Sequence, residues 1–484
     1  MKKEQGCKVL PALVTVAVVA TVLSTNASSG ATTRVASKTS GPARSSTTAA
    51  PKPQGSTVDE TAPSGSPPAP PPSGGGSGPG GGSSTVVTGT GAYTLSGGHA
   101  SKSALTITAA SSNESGVLAK DSAKLTLTGV EVSTTGGSSS SDDSSFYGLD
   151  AGVLAFTGAA IEEDAGSVTT SGNGANAVFS YGSSSSITIS GTKIRATGQY
   201  AHGIMASGGG SIKATDVTVS TAGGSSAAVA TDRGGDTITV IGGTYRTSGH
   251  NSPGLYSTGA LKATGATFDA TAAEAAVVEG SNSVTVTNSR VTGHVNRGVM
   301  VYQSMSGDAQ GEEGTFTETG GSLTALDGPL FFVTNTTAVI NLTGVKLSEV
   351  SGILLDAGAS SWGTSGSNGG SVTVNAVRQS MTGAVEVDDI STAVLNLKDG
   401  SNLTGTINAA GTARSVTLSL DKSSAWTVTG NSHLTVLRDS EGVSGSKMTN
   451  IVGNGHTVYY DARSNPSLGG RTYTLEGGGT LNPA

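Results

Sequence analysis

Five acids are spaced as a repeat would space them. Asp121, Asp232, Glu279, Asp356 and Asp388 each follow, by four or five residues, a small residue that opens a short apolar run, as in Gly203-Ile-Met-Ala and Gly298-Val-Met-Val. If those runs are equivalent strands, the acids approach one line near one corner of the molecule. Paired carboxylates so placed could divide general acid and base work on a glycosidic bond, or bind Ca²⁺. Solvated turn acids account for the same spacing, and equivalent positions elsewhere hold Phe156, Tyr181, Ser207, Tyr302 and Val333. The denser cluster Asp232-Arg233-Gly-Gly-Asp236 reads as a binding group or as a turn closed by its own ion pair.

Two stretches where the spacing lengthens add further candidates. One, 304–314, carries Met305, Asp308, Glu312 and Glu313 beside Tyr302 and Gln303; the other, 357–370, carries Trp362 near Asp356. An exposed tryptophan with acids nearby could stack on a sugar or contact a protein. A tryptophan that covers a coil end fits equally well. The candidate binding set is therefore Tyr302, Gln303, Asp308, Glu312, Glu313, Asp356, Trp362, Asp232 and Arg233. No residue is assigned a catalytic role.

Other chemistries find little support. The six histidines include no pair at metal-ligand spacing, and the single cysteine, Cys7, precedes an apolar amino-terminal run, so neither a metal site nor any cofactor is expected. There is no Gly-X-Ser-X-Gly elbow, and the glycines of 74–82 are low complexity rather than a phosphate loop. The net charge is −7 without a basic stripe, which excludes nucleic acid as an expected partner.

The elements that must position these residues are written as a repeat. Phrases beginning at Ile187, Ile212, Ile238, Leu261 and Val284 start 25, 26, 23 and 23 residues apart (212−187, 238−212, 261−238, 284−261). Inside each phrase apolar residues alternate with Thr, Ser, Lys or Asn, the period of a strand with one buried face. Gly, Asn or Asp usually follows, where a bend needs positive φ. Leu105-Thr-Ile-Thr, Leu125-Thr-Leu-Thr, Ile340-Asn-Leu-Thr and Leu395-Asn-Leu-Lys read as further copies. Such a coil is too short for a strand–helix–strand crossover. The pattern predicts an all-β chain forming a single parallel β-helix, a solenoid of roughly a dozen coils. Three longer coils should bulge as loops, at 136–147, 304–314 and 357–370, the last two from the same corner about two coils apart.

Composition agrees with this class. Gly is 73 of 484 residues, charged residues are 13% and aromatics 4%, so small and β-branched side chains must fill the core. Residues 1–27 have the basic start, apolar run and small residues of an export signal. The run is short for a membrane span, so no transmembrane domain is expected in the mature chain; retention as an anchor is the competing reading. Residues 28–84 are rich in Ser, Thr, Pro and Gly and read as a disordered linker, leaving 85–484 for the β-helix.

The carboxy-terminal strands Leu418-Ser-Leu-Asp through Ala425-Trp-Thr-Val-Thr-Gly to Leu434-Thr-Val-Leu resemble the closing coils of pertactin/AIDA-like autotransporter passengers. The stretch from Val458-Tyr-Tyr-Asp to Thr472-Tyr-Thr-Leu is similar to the cap of secreted relatives of that group. The resemblance covers 90–480 in loose motifs and implies a right-handed helix and a surface or extracellular setting. No β-barrel translocator pattern follows the repeats, so self-transport is not expected. The resulting expectation is a secreted or surface-exposed, adhesin-like or structural solenoid without catalysis, its partner an extracellular glycan or a host or cell-surface protein. A polysaccharide-binding or polysaccharide-degrading β-helix is the alternative. A Thr-X-Thr ladder through Thr106/Thr108, Thr126/Thr128, Thr188/Ser190, Thr285/Thr287 and Thr417/Ser419 makes an ice-binding solenoid a minor one.

Overall fold

The computed structural model describes residues 89–304, 309, 311 and 313–484. The export-signal and linker readings, over 1–27 and 28–84, lie outside the described residues. Each regular coil has three short strands, as in Ile204–Ser207, Ser211–Thr215 and Thr218–Thr221. Equivalent strands pair in parallel with the coils above and below, giving sheets of 12, 14 and 10 strands. They are called here the small-residue, phrase and third sheets. The result is an all-β parallel solenoid of about 16 turns. That exceeds the expected dozen because coils at both ends keep their strands while losing the phrase.

The alternation within each phrase becomes the core. Ile161, Ile187, Ile212, Ile238, Leu261 and Val284 stack in one inward column of the phrase sheet, all buried. Between the phrase strand and the third strand one residue takes positive φ: Gly191, Asp216, Gly265 and Asn288 do so in successive or near coils. Leu105-Thr-Ile-Thr is not a copy of the phrase. Thr106–Ala109 lies in the third sheet, and the phrase position of that coil is His99–Ser103. Thr106 and Thr108 therefore sit on a different sheet from the Thr126/Thr128 and Thr285/Thr287 pairs, and the Thr ladder is broken at its start.

The small residue opening each run is required by packing. A Cβ on Gly116, Gly152 or Gly203 would lie 2.3–2.5 Å from the Cγ1 of Val132, Val168 or Val219 across the coil. The true column runs Gly152, Ala177, Gly203, Ala228, Gly254, Ala275 and Gly298, with Leu330 next. Asn176 and Ala227 stand one residue before it. A separate stack, Gly172, Gly198, Gly223 and Gly249, follows the third strand. Each would place a Cβ 1.7–1.8 Å from the carbonyl oxygen of the glycine one coil before.

The third sheet stops at Lys346–Glu349, and a fourth sheet takes over from Ser380–Thr382. Gln379, buried at the junction, replaces the missing ladder. Its Oε1 accepts from Val345 N at 2.8 Å, and its Nε2 donates to Val345 O and Ser380 O, each at 2.8 Å. Gln379→Ala leaves Val345 unpaired in the core and is expected to lower stability by about 2 kcal/mol. A fall in the urea midpoint at unchanged m-value checks this.

The two ends differ. At the carboxy-terminal end Tyr473–Glu476 and Thr480–Pro483 pair antiparallel and close the rod over Leu475 and Leu481. At the amino-terminal end Thr90–Ser96, His99–Ser103 and Thr106–Ala109 are the outermost strands of their sheets. There Lys102 takes an inward position, in register with buried Leu127, and its Nζ lies 5.0 Å from the Tyr93 ring centroid.

Candidate functional site

The small-residue sheet is buried on both faces, as the continuous burial of Val153–Phe156, Ile204–Ser207 and Val299–Tyr302 shows. Its inward residues fill the solenoid. Its outward residues form a second apolar layer in two columns, one through Phe179, Met205, Tyr256, Met300 and Phe332, the other through Tyr181, Ser207, Asp232, Glu279 and Tyr302. Two insertions cover this layer.

The first insertion is not the loop expected over 136–147. Ser141–Tyr147 is an α-helix, capped by the Ser140 hydroxyl accepting from Asp143 N and stopped by Gly148 in the left-handed region. Asp142 and Asp143 in its first turn suit the helix dipole. Its Tyr147 meets Tyr181 edge to face at 5.2 Å, and Tyr181 stacks on Phe156 at 4.7 Å. Arg233 lies over the Phe146 ring, 3.2 Å from its centroid. The turn is also tied locally, Arg233 N donating to Asp232 Oδ1 at 2.8 Å. Asp236 points elsewhere and accepts from Gly209 N at 2.6 Å.

The second cover is the 357–370 stretch, which leaves the same sheet two coils beyond the loop after Tyr302. Trp362 is not the exposed platform that sequence allowed. It is only 9% exposed and packs on Val277, Met300, Tyr302 and Phe332, its ring centroid 5.1 Å from that of Tyr302. Asn368 fixes the turn by donating to Ser360 O at 2.7 Å and Trp362 O at 2.8 Å. Asn335 ties the two stretches together through a 2.7 Å bond to Gln303 O.

Under Trp362 lies the most concentrated polar group. Glu279, 3% exposed, accepts on one oxygen from the Tyr302 hydroxyl at 2.9 Å and from the Tyr256 hydroxyl. Burial, with the Glu279 carboxylate next, pushes both tyrosine hydroxyls well above their usual range. Beside it Arg297 bonds Glu274 at 3.4 Å and lies 4.3 Å over Phe332. These contacts hold an acid inside an aromatic layer.

The five spaced acids do not form one line. Asp232 and Glu279 share a column two rungs apart, roughly 9.6 Å at ordinary ladder spacing. Asp121 falls in the turn beyond, at φ 57°. Asp356 lies in the other column, in register with Phe332 and Glu386. Counted from the ladder column, Asp232 and Glu279 each stand four residues on and Asp121 five, and a bulge at Ile353 shifts the register before Asp356. Asp356 and Asp388 do approach each other: a Cβ on Gly358 would sit 3.3 Å from Asp356 Oδ1 and 3.4 Å from Asp388 Oδ2. Asp388 Oδ2 also accepts from Ala359 N at 2.7 Å.

Of the remaining candidates, Gln303 donates to Ser304 O at 3.2 Å and Glu313 is exposed at the start of its strand. Asp308 and Glu312 lie outside the described residues. Among the described residues no group of three or more His, Cys, Asp or Glu could hold a metal ion, and no helix is long and apolar enough to cross a membrane. Sequence reasoning missed Tyr256, Glu274 and Arg297. Tyr256 carried a signal, being the outward residue of Gly254-Leu-Tyr-Ser. No protein-family model matches the chain, and comparison with curated proteins finds no match.

Proposed function

We propose that this protein is an extracellular or surface-exposed, adhesin-like rod in the manner of pertactin-like passengers, contacting its partner through the covered face of the small-residue sheet. One observation carries the reading. Both insertions fold onto that single face and meet at Tyr256, so the rod's relief is concentrated there while the phrase sheet stays regular. Export is supported by the basic start and apolar run of residues 1–27. A non-catalytic role is supported by Glu279, which is buried and bonded by two tyrosine hydroxyls and so not offered to a substrate. The partner is a glycan or protein of a cell surface.

The full chain should bind cells or an immobilised glycan array. Arg233→Ala, at an exposed position beside the helical insertion, is expected to weaken binding by about ten-fold while the fold is retained. Release of reducing ends from any polysaccharide by the full chain would sink the non-catalytic reading. In that event the neighbouring Asp356 and Asp388 become the acids to substitute first.

A further inference from the structure

Two glutamates point into the solenoid itself. Glu163 takes an inward position of the phrase sheet between Leu127 and Ile189, and Glu318 takes the same position between Val286 and Leu342. They are 2% and 0% exposed, and all four carboxyl oxygens lack a hydrogen-bond partner. Buried polar atoms are seldom left so.

Their placement along the rod is not uniform. Glu163 lies in the first phrase strand after the helical insertion, in the coil whose Phe156 stacks beneath Tyr181 and Tyr147. Glu318 lies in Glu313–Thr319, the strand that resumes the coil after Tyr302. Each core carboxyl thus belongs to a coil that carries an interruption of the repeat. We propose that Glu163 and Glu318 form a pH-sensitive latch, holding closed in acid the coil that carries the helical insertion and the coil that resumes after Tyr302, and loosening them as pH rises.

No charged side chain in the described elements packed around either carboxyl faces it. Around Glu163, Lys124, Glu162 and Asp164 are exposed on the outer side of the phrase sheet, and Glu131, Lys193 and Arg195 on that of the third sheet. Lys120 is at an outward position of the small-residue sheet. Around Glu318 the corresponding groups, Glu313, Arg290 and Lys346, are exposed, and Glu349, half-buried at an inward register of the third sheet, accepts from Gly352 N. Burial alone therefore acts, and it pushes each carboxyl from the ordinary 4.5 up to about 8.

The sign follows. Between those values the folded coil keeps a proton that the opened coil releases, so opening becomes easier as pH rises, and stability present in acid is lost by about pH 8. Asp236, pushed by burial to about 7, and Asp150, to about 6, act in the same direction from the same half of the rod.

The test is amide hydrogen exchange of the full chain between pH 5 and pH 9, corrected for intrinsic rates. It needs no ligand, so its outcome is separate from that of the binding assay. Protection of Ala160–Asp164 and Glu313–Thr319 is expected to fall about ten-fold per pH unit up to about pH 8, since opening releases one proton. Thr392–Lys398, whose inward residues are Ala393, Leu395 and Leu397, serves as the internal reference. Glu163→Gln with Glu318→Gln should flatten the dependence, and so should the double leucine variant if glutamine packs poorly. A dependence unchanged in both double variants, or wild-type strands that track the reference, would overturn the proposal.

Discussion

Gly223→Ala is expected to destabilise the middle of the rod by about 3 kcal/mol or more, an overpacking penalty at the top of its usual range. The added Cβ would stand 1.7 Å from Gly198 O and 2.4 Å from its carbonyl carbon, and backbone cannot swing aside as a side chain can. Both carbonyls are also held. Gly223 O accepts from Ser252 Oγ at 2.9 Å, and Gly198 O from Ser226 Oγ at 3.1 Å. Gly265→Ala is the control. Gly265 has φ 65° but open space around its Cβ position, so only the cost of the left-handed conformation, about 1 kcal/mol, should appear. Urea denaturation of the two variants measures the difference. Equal losses would mean that conformation, not stacking, selects glycine at the corner.

Trp426→Ala should cost about 3–5 kcal/mol, the range for deleting a large buried ring. Trp426 is fully buried between Leu403 and Ile451 in the fourth sheet, and its Nε1 donates to Gly405 O at 3.0 Å. In a stack where each coil touches only its neighbours, the loss should be felt first by the closing coils. The chain has two tryptophans, so the variant also isolates Trp362 emission and reports whether the insertion layer survives. Simultaneous loss of the Trp362 signal and the terminal coils would show that the rod unfolds as one unit.

The shaft was legible because its signal is redundant. Ile187, Ile212 and Ile238 mark the same inward position in coil after coil, and a misread coil is corrected by its neighbours. The positive-φ corner was equally plain, since Asp216 and Asn288 stand where Gly191 and Gly265 stand. The insertion layer had no such redundancy. Trp362 occurs once, and whether it faces solvent or Met300 depends on Asn368 holding the turn around it and on Asn335, distant in sequence, anchoring that turn to Gln303. The acids were misplaced by the same logic, because Ala228 sits next to the equally small Ala227 and only the ladder distinguishes them. Glu163 and Glu318 went unremarked because a period of two says which side a residue faces and nothing about what that residue will meet.

Parallel strands stacked at ladder spacing, with apolar residues in columns, are also the geometry of a fibril seed. The carboxy-terminal end escapes by turning its last strands antiparallel. The amino-terminal end has no such turn in its described strands, and there Lys102 sets an ammonium group where an incoming strand would need a hydrocarbon. Desolvating that cation adds a penalty to any further rung laid on these outermost described strands.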